Sequence, residues 1–391
     1  MLPVMENKPK VSHNLIGLVT RIINQFYLKV LTESKMNKIH IKALFLLILA
    51  FLCNGTHAQE KTLEQKRKSQ ISKPLVEHVY TADPSAHVFN EKLYIYPSHD
   101  TIGLKTDDSP GGGFTMVDYH VFSMEKEGGK VTDYGKVLGV EDIPWAHKQL
   151  WAPDAAHKDG KYYLYFPAKG DFDIFRIGVA VGNSPSGPFV AEPEPIKGSY
   201  SIDPSVFEDE DGSYYMYFGG IDGGQLQHYR GNTFGVHYNF PDQKEAALKP
   251  RVAKMSSNML AFAEAPKEVA IVDENGKLLK GYDHDRRFFE AAWVHKFNNK
   301  YYFSYSTGDT HKICYAIGDS PYGPFTYKGV VLEPVVGWTS HHSICKFKGK
   351  WYLFYHDSLL SNGNTILRSI KMTELKHDEN GCIQTIKPYG E

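Results

Sequence analysis

The tripeptide Asp-Pro-Ser occurs at Asp83 and again at Asp203, and a glutamate, Glu290, lies between aromatic and small residues in Phe-Phe-Glu-Ala. A single Asp-Pro is an ordinary turn opener. Two copies, each a few residues ahead of a similar aromatic hairpin, suggest a carboxylate presented repeatedly by one structural unit. The corresponding places elsewhere hold Ala152 with Asp154 in Trp-Ala-Pro-Asp, and His341 in Ser-His-His-Ser. Carboxyls brought together raise one another's pKa values and cost stability, so a function has to retain them. Hydrolysis of a glycosidic bond is such a function: one carboxyl stays protonated to donate to the leaving oxygen, and another stays ionised to activate water or attack carbon. Glu264, in Ala-Glu-Ala-Pro, is a rival donor. It precedes the charged stretch Lys267 to Lys280 without an aromatic hairpin and reads as a loop residue. Trp151, just before Ala-Pro-Asp, is the aromatic expected against a sugar face. In a channel lined by acids, His341 is suited to hold a metal or its waters.

The elements that must position these groups are short strands. Five aromatic runs alternate sides as strands do: Lys92-Leu-Tyr-Ile-Tyr, Lys161-Tyr-Tyr-Leu-Tyr, Ser213-Tyr-Tyr-Met-Tyr, Lys300-Tyr-Tyr-Phe-Ser and Lys350-Trp-Tyr-Leu-Phe. Each follows a turn, namely Asn90-Glu91, Asp159-Gly160, Asp211-Gly212, Asn298-Asn299 and Lys348-Gly349, and most of these have hairpin chemistry. A second element, Gly182-Asn-Ser-Pro-Ser-Gly-Pro-Phe, returns as Gly318-Asp-Ser-Pro-Tyr-Gly-Pro-Phe. Hairpin, strand, turn and strand make a four-stranded blade, and five hairpins predict an all-β, five-bladed β-propeller. A β-helix would repeat at a far shorter interval, and a sandwich gives no reason for five like hairpins. The first strand of each blade lines the central channel, so the acids that precede the hairpins should share one axis.

With 391 residues, 42% of them hydrophobic, the chain can bury a large core in one domain. Its 45 acidic residues nearly cancel its 44 Lys and Arg, which leaves no net field for nucleic acid. A neutral oligosaccharide or polysaccharide is the expected partner; oligomeric state stays open. From Met36, two lysines, an apolar run and Thr-His-Ala before Gln59 form a signal-peptide pattern over residues 36–58. The apolar stretch is too short for a stable membrane span. Export to the periplasm or medium is therefore expected, with residues 1–35 as a mis-assigned extension and residues 59–74 as a mobile linker to a catalytic domain over 75–391. Cys314, Cys345 and Cys382 lack metal-ligand spacing and read as packing residues, one disulfide not being excluded.

Taken in order from about His78 to the C-terminus, these motifs resemble glycoside hydrolase family 43. The resemblance implies an inverting enzyme in which Asp83 is the general base, Asp203 the pKa modulator and Glu290 the general acid. It further implies that Arg368 contacts substrate and the acidic cluster, that His341 lies near a calcium ion, and that no organic cofactor is needed. The absence of an appended domain resembles exo-acting β-xylosidases and α-L-arabinofuranosidases, with residues 101–118 and 225–287 as the rim of the site. Endo- or exo-arabinanase action and a non-catalytic sugar-binding propeller are the alternatives. The related fructan and sucrose hydrolases open on Asn-Asp-Pro-Asn, which is absent here.

Overall fold

The computed structural model describes residues 61–103, 111–236 and 240–390. The expected extension (1–35) and signal peptide (36–58) lie outside them. The protein is a five-bladed β-propeller, and its hairpins stand where the aromatic runs place them. Blade 1 is β1 (Tyr80–Phe89), β2 (Lys92–Asp100), β3 (Asp118–Met124) and β4 (Thr132–Gly139), paired in that order. Blade 2 is β5 (Asp154–Lys158), β6 (Lys161–Lys169), β7 (Phe175–Gly182) and β8 (Val190–Ala191). In blade 3, β9 (Ser205–Glu208) and β10 (Tyr214–Phe218) are followed by β11 (Arg251–Lys254) and β12 (Lys267–Glu268).

A short β13 (Ile271–Val272) runs parallel to the outer strand of blade 4. That blade comprises β14 (Glu290–Phe297), β15 (Lys300–Ser306), β16 (Ile313–Gly318) and β17 (Phe325–Leu332). Blade 5 has β18 (His342–Phe347), β19 (Lys350–Asp357) and β20 (Ser369–Leu375). Four of the five hairpins close with both turn residues at positive φ, for example Asn90 at 50° and Glu91 at 62°, or Asn298 at 48° and Asn299 at 58°. That is the turn whose twist matches paired strands, and Asn, Asp and Gly adopt it at least cost. The connection between β9 and β10 is longer, residues 209–213.

The aromatic side chains pack between blades. Leu93, Ile95 and Phe122 of blade 1 meet Phe347, Tyr352 and Phe354 of blade 5 in one buried cluster, which closes the ring. The Ala86 amide also donates to Ser343 Oγ across this junction at 3.1 Å. The chain preceding β1 adds to blade 5 as well: Pro74 bridges Lys371, and the Leu75 amide donates to the Ile370 carbonyl at 2.8 Å. The last blade thus gains its outer edge from the segment before the first.

That segment departs from the expected mobile linker. A helix, α1 (Leu63–Ser69), starts on a capping box in which Thr62 Oγ1 accepts from the Gln65 amide at 3.2 Å and Gln65 Oε1 from the Thr62 amide at 2.8 Å. Arg67 Nη2 donates to the Leu359 carbonyl at 2.7 Å and to Asn362 Oδ1 at 2.8 Å. None of the helix residues is buried, so it docks through polar groups and leaves no apolar period in the sequence. Cys314, Cys345 and Cys382 are all free thiols.

Candidate active site

Asp83, Asp203 and Glu290 sit where strands that begin blades are bulged. In blade 1, Ala82 pairs with Ser98 and Ser85 with Tyr96, so Asp83 and Pro84 together face one residue of β2. In blade 4, Glu290 pairs with Ser306 and Trp293 with Ser304, which gives Ala291 and Ala292 the same arrangement. Blade 3 repeats it: the Gly219 amide donates to the Ile202 carbonyl at 2.8 Å and Ser205 pairs with Tyr217, leaving Asp203 and Pro204 as the extra pair. The first residue of each pair has positive φ: Asp83 51°, Asp203 57° and Ala291 61°. Aspartate tolerates this region, whereas alanine is strained in it, and such strain gathers at functional sites. The Ala291 conformation is held because its amide donates to Asp203 Oδ2 at 2.8 Å. The repeat is therefore offset by one residue in blade 4, where the acid precedes the bulged residue.

These bulges aim the three acids into one cavity of about 280 Å³ that also receives Trp151, His341 and Arg368. Phe114, Met116, Trp151, Ile202, Ile221 and Phe289 form its apolar lining, and Asp222, Trp338 and Thr339 complete its polar and outer parts. Trp151 is largely buried in the wall, its Nε1 donating to the Phe114 carbonyl at 3.0 Å. Asp154 is not at the cavity. Its Oδ1 meets Ser85 Oγ and His87 Nε2, and its Oδ2 accepts from the Val206 amide, so it ties blades 1, 2 and 3 together in the channel. Glu264 is likewise elsewhere, accepting from Lys267 Nζ at 2.5 Å and from Tyr322 OH at 2.6 Å.

The rim differs from expectation. Gly111, Phe114 and Met116 come from the first expected stretch, but among the described residues none from 225–287 lines the cavity. Ile221 to Gly224 and Phe289, on either side of that stretch, do so instead, and Trp338 with Thr339 arrive from the β17–β18 connection.

The electrostatics separate the three acids. Burial would raise the Asp83 carboxyl, but Arg368, His356, His341 and the Ser98 hydroxyl outweigh it and hold the pKa at about 2. Arg368 Nη1 donates to Asp83 Oδ1 at 2.9 Å, and Ser98 Oγ to Asp83 Oδ2 at 2.6 Å. The Asp83 amide donates to His356 Nδ1 at 3.0 Å, which places the imidazole proton on Nε2, 3.1 Å from the Thr339 carbonyl. Burial keeps His356 neutral, with a pKa of about 3. Glu290 moves the other way, well above an ordinary glutamate, through burial and the charges of Asp203 and Asp83. Asp203 is also raised, by burial and by Asp83, and it titrates together with Glu290.

Asp100 escaped the sequence reading. It is buried at the end of β2 and takes Arg368 in a fork, Nε to Oδ2 at 2.8 Å and Nη2 to Oδ1 at 2.7 Å, which aims the remaining Nη1 at Asp83. Ser98, His356 and Thr339 were missed as well. They support Asp83 from strand ends and a loop, and only the polar breaks in the apolar runs at Ser98 and His356 could have signalled them.

Among the described residues neither ring nitrogen of the buried His341 has a hydrogen-bond partner, and Nε2 lies 3.8 Å from Asp203 Oδ2. An orphaned imidazole beside carboxyls fits an ion held through water. Calcium prefers oxygen ligands, so direct ligation by this ring alone would be poor.

The family model for glycosyl hydrolases family 43 matches residues 71–383. A xylosidase/arabinosidase of Bacteroides ovatus is 58% identical over 318 residues, covering 81% of this chain and 98% of the relative. Xylosidase/arabinosidase 43A of Humicola insolens is 60% identical over 325 residues, 81% of this chain and 99% of the relative. Among solved structures, CoXyl43, a β-xylosidase/α-arabinofuranosidase from a compost metagenome in complex with xylotriose in calcium-free form, superposes with TM-score 0.80. It is 63% identical and covers 82% of this chain and 98% of its own. The chain belongs to glycosyl hydrolases family 43. It is accordingly an enzyme that hydrolyses O-glycosyl bonds.

Proposed function

We infer that the protein removes terminal xylose or arabinose from plant cell-wall oligosaccharides with inversion of the anomeric centre. The observation that carries this reading is the opposed displacement of two carboxyls on one cavity, Asp83 held down to about 2 and Glu290 held up. Asp83, ionised, takes the proton of the water that attacks the anomeric carbon. Glu290, protonated, donates to the departing glycosidic oxygen, and Asp203 beside it keeps that proton in place by like-charge repulsion. Arg368 orients Asp83 and faces the substrate, and Trp151 forms part of the wall against the sugar. The names of the relatives, xylosidase/arabinosidase in two cases, support both pentoses.

His341 would hold a calcium ion through waters, and the ion would supply positive charge beside the carboxyls. The signal-peptide pattern over residues 36–58 directs export, with Gln59 as the first residue of the mature chain. The deciding experiment is product analysis on xylo-oligosaccharides and arabino-oligosaccharides side by side, with the anomer of the first-formed sugar read by NMR. Release of single pentoses of inverted configuration is expected; a retained anomer or internal cleavage overturns the reading. Activity lost in chelator and restored by calcium, and a mature N-terminus at Gln59, test the remaining two parts.

A further inference from the structure

Blade 1 carries a second group of metal-ligating side chains on the sheet face away from the cavity. His99 lies in β2 between Ser98 and Asp100, whose side chains point inward to Asp83 and Arg368. Its own ring points outward, where Asp118 and His120 on the neighbouring β3 share its face. One ligand atom from each of His99, Asp118 and His120 lies within 4.8 Å of the others. His99 Nδ1 is 2.6 Å from Asp118 Oδ1, and the two imidazoles meet edge to face at 4.7 Å between centroids.

Behind them stands a supporting carboxylate. Asp133 of β4 holds His120 Nδ1 at 3.3 Å through Oδ1, leaving Nε2 as the nitrogen of that ring not committed to it. The same carboxylate is fixed by the Gly135 amide at 2.7 Å and by His78 Nε2 at 2.7 Å. A carboxylate that orients the far nitrogen of a histidine is the usual backing of a metal ligand. The side chains of His99, Asp118 and His120 keep 19%, 18% and 14% of their surface accessible, enough for an ion to enter while the rings stay packed.

We propose that His99, Asp118 and His120 form a site for a borderline divalent transition ion such as Zn²⁺, separate from the catalytic cavity and backed by Asp133. Two imidazoles and one carboxylate suit such an ion and leave positions for water, whereas Ca²⁺ asks for a shell of oxygens that this group does not offer. Binding replaces the hydrogen shared by His99 and Asp118 with the ion and releases it to solvent. Because His99 sits between the residues that hold Asp83 and Arg368, an ion here clamps the end of β2 from the outside and raises the melting temperature.

The test is calorimetric titration of Zn²⁺ into the metal-stripped protein, alongside H99A, H120A, the conservative variant D118N, the backing variant D133N, and H341A. Co²⁺ absorption supplies a readout independent of activity. One saturable Zn²⁺ site is expected, unaffected by excess Ca²⁺ and by H341A. It should weaken about 10-fold or more in D133N, by the usual effect of an outer partner, and further in H99A, H120A and D118N. Circular dichroism of each variant checks that it is folded; D118N, which preserves shape, carries the test if an alanine variant is not. Wild-type protein with no Zn²⁺ site, or an isotherm unchanged in folded D118N and H99A, overturns the proposal.

Discussion

Arg368 reaches Asp83 with one nitrogen, Nη1 to Oδ1 at 2.9 Å, while its other two nitrogens are locked on Asp100. The contact keeps Asp83 ionised in a buried site where Glu290 and Asp203 are both pushed toward their neutral forms. One cation placed nearest one of three acids therefore assigns which of them can act as base. The rest of the cluster, with two raised groups beside a lowered one, is what a bell-shaped pH profile needs.

The acidic limb of that profile depends on Arg368. Replacement by Met leaves Asp83 and Asp100 buried without their partner, which should cost about 3–5 kcal/mol in urea unfolding at neutral pH. In the surviving folded protein the Asp83 pKa rises, so the acidic limb of kcat/KM moves to higher pH. The sign for stability follows: Asp83 is depressed from 3.8 to about 2, so its contribution is complete above 3.8 and is lost as pH falls through 2. An acidic limb unmoved in R368M would show that Asp83 is not the group being titrated.

Asp203→Asn separates stability from activity. Asp203 and Glu290 have raised pKa values, so each favours the folded state less as pH rises above the ordinary carboxyl range. The amide keeps an oxygen for the Ala291 amide and removes one buried charge. Stability at neutral pH should increase, because the amide no longer has to be held against ionisation in a buried site. The alkaline limb should move to lower pH, because Glu290 loses a like charge beside it, and kcat at neutral pH should fall. Thermal unfolding and a pH profile on the same variant check both signs, and a destabilised D203N would contradict the account.

Much of this arrangement was legible in the sequence because propeller blades repeat. Identical hairpins put the residues before them at one end of a common channel, so Asp83, Asp203, Glu290 and His341 could be gathered without knowing any distance. The same logic puts Ala152 and Asp154 together at the repeat position, yet Ala152 lines the cavity while Asp154 is consumed in the channel by Ser85, His87 and the Val206 amide. Pattern gives the direction of a side chain but not its partners. Asp100 and His356 went unread for the converse reason: they act through other residues and stand at the ends of second strands. Trp338 lies in a connection with no repeat, and α1 docks by hydrogen bonds that leave no apolar period.

Glu290→Gln should distinguish substrates by their leaving groups. A natural xylo-oligosaccharide departs as a poor alkoxide and needs the proton, so its kcat should fall by about 10²–10⁴-fold. An aryl glycoside with an acidic phenol needs little protonation and should lose far less. The pH profile of the variant should also lack its alkaline limb. Equal losses on the two substrates, read from initial rates, would remove Glu290 from the donor role.

Closure of the ring makes a prediction about the chain before β1. Val76 is buried between blades 5 and 1, and the Leu75 amide supplies a 2.8 Å hydrogen bond to the free edge of β20. Beginning the chain at Glu77 instead of at the proposed mature start, Gln59, removes both, together with the contacts of Arg67 to the 359–362 loop. Burial of a valine contributes about 1.5–3 kcal/mol and a hydrogen bond about 0.5–1.5 kcal/mol, so the shorter chain should lose roughly 3 kcal/mol in urea unfolding. The loss should appear as faster opening of amides in β1 and β18 to β20, because the junction of the first and last blades is what the segment seals. Hydrogen exchange that rises evenly over all five blades would mean that the segment stabilises the propeller as a whole and not its closure.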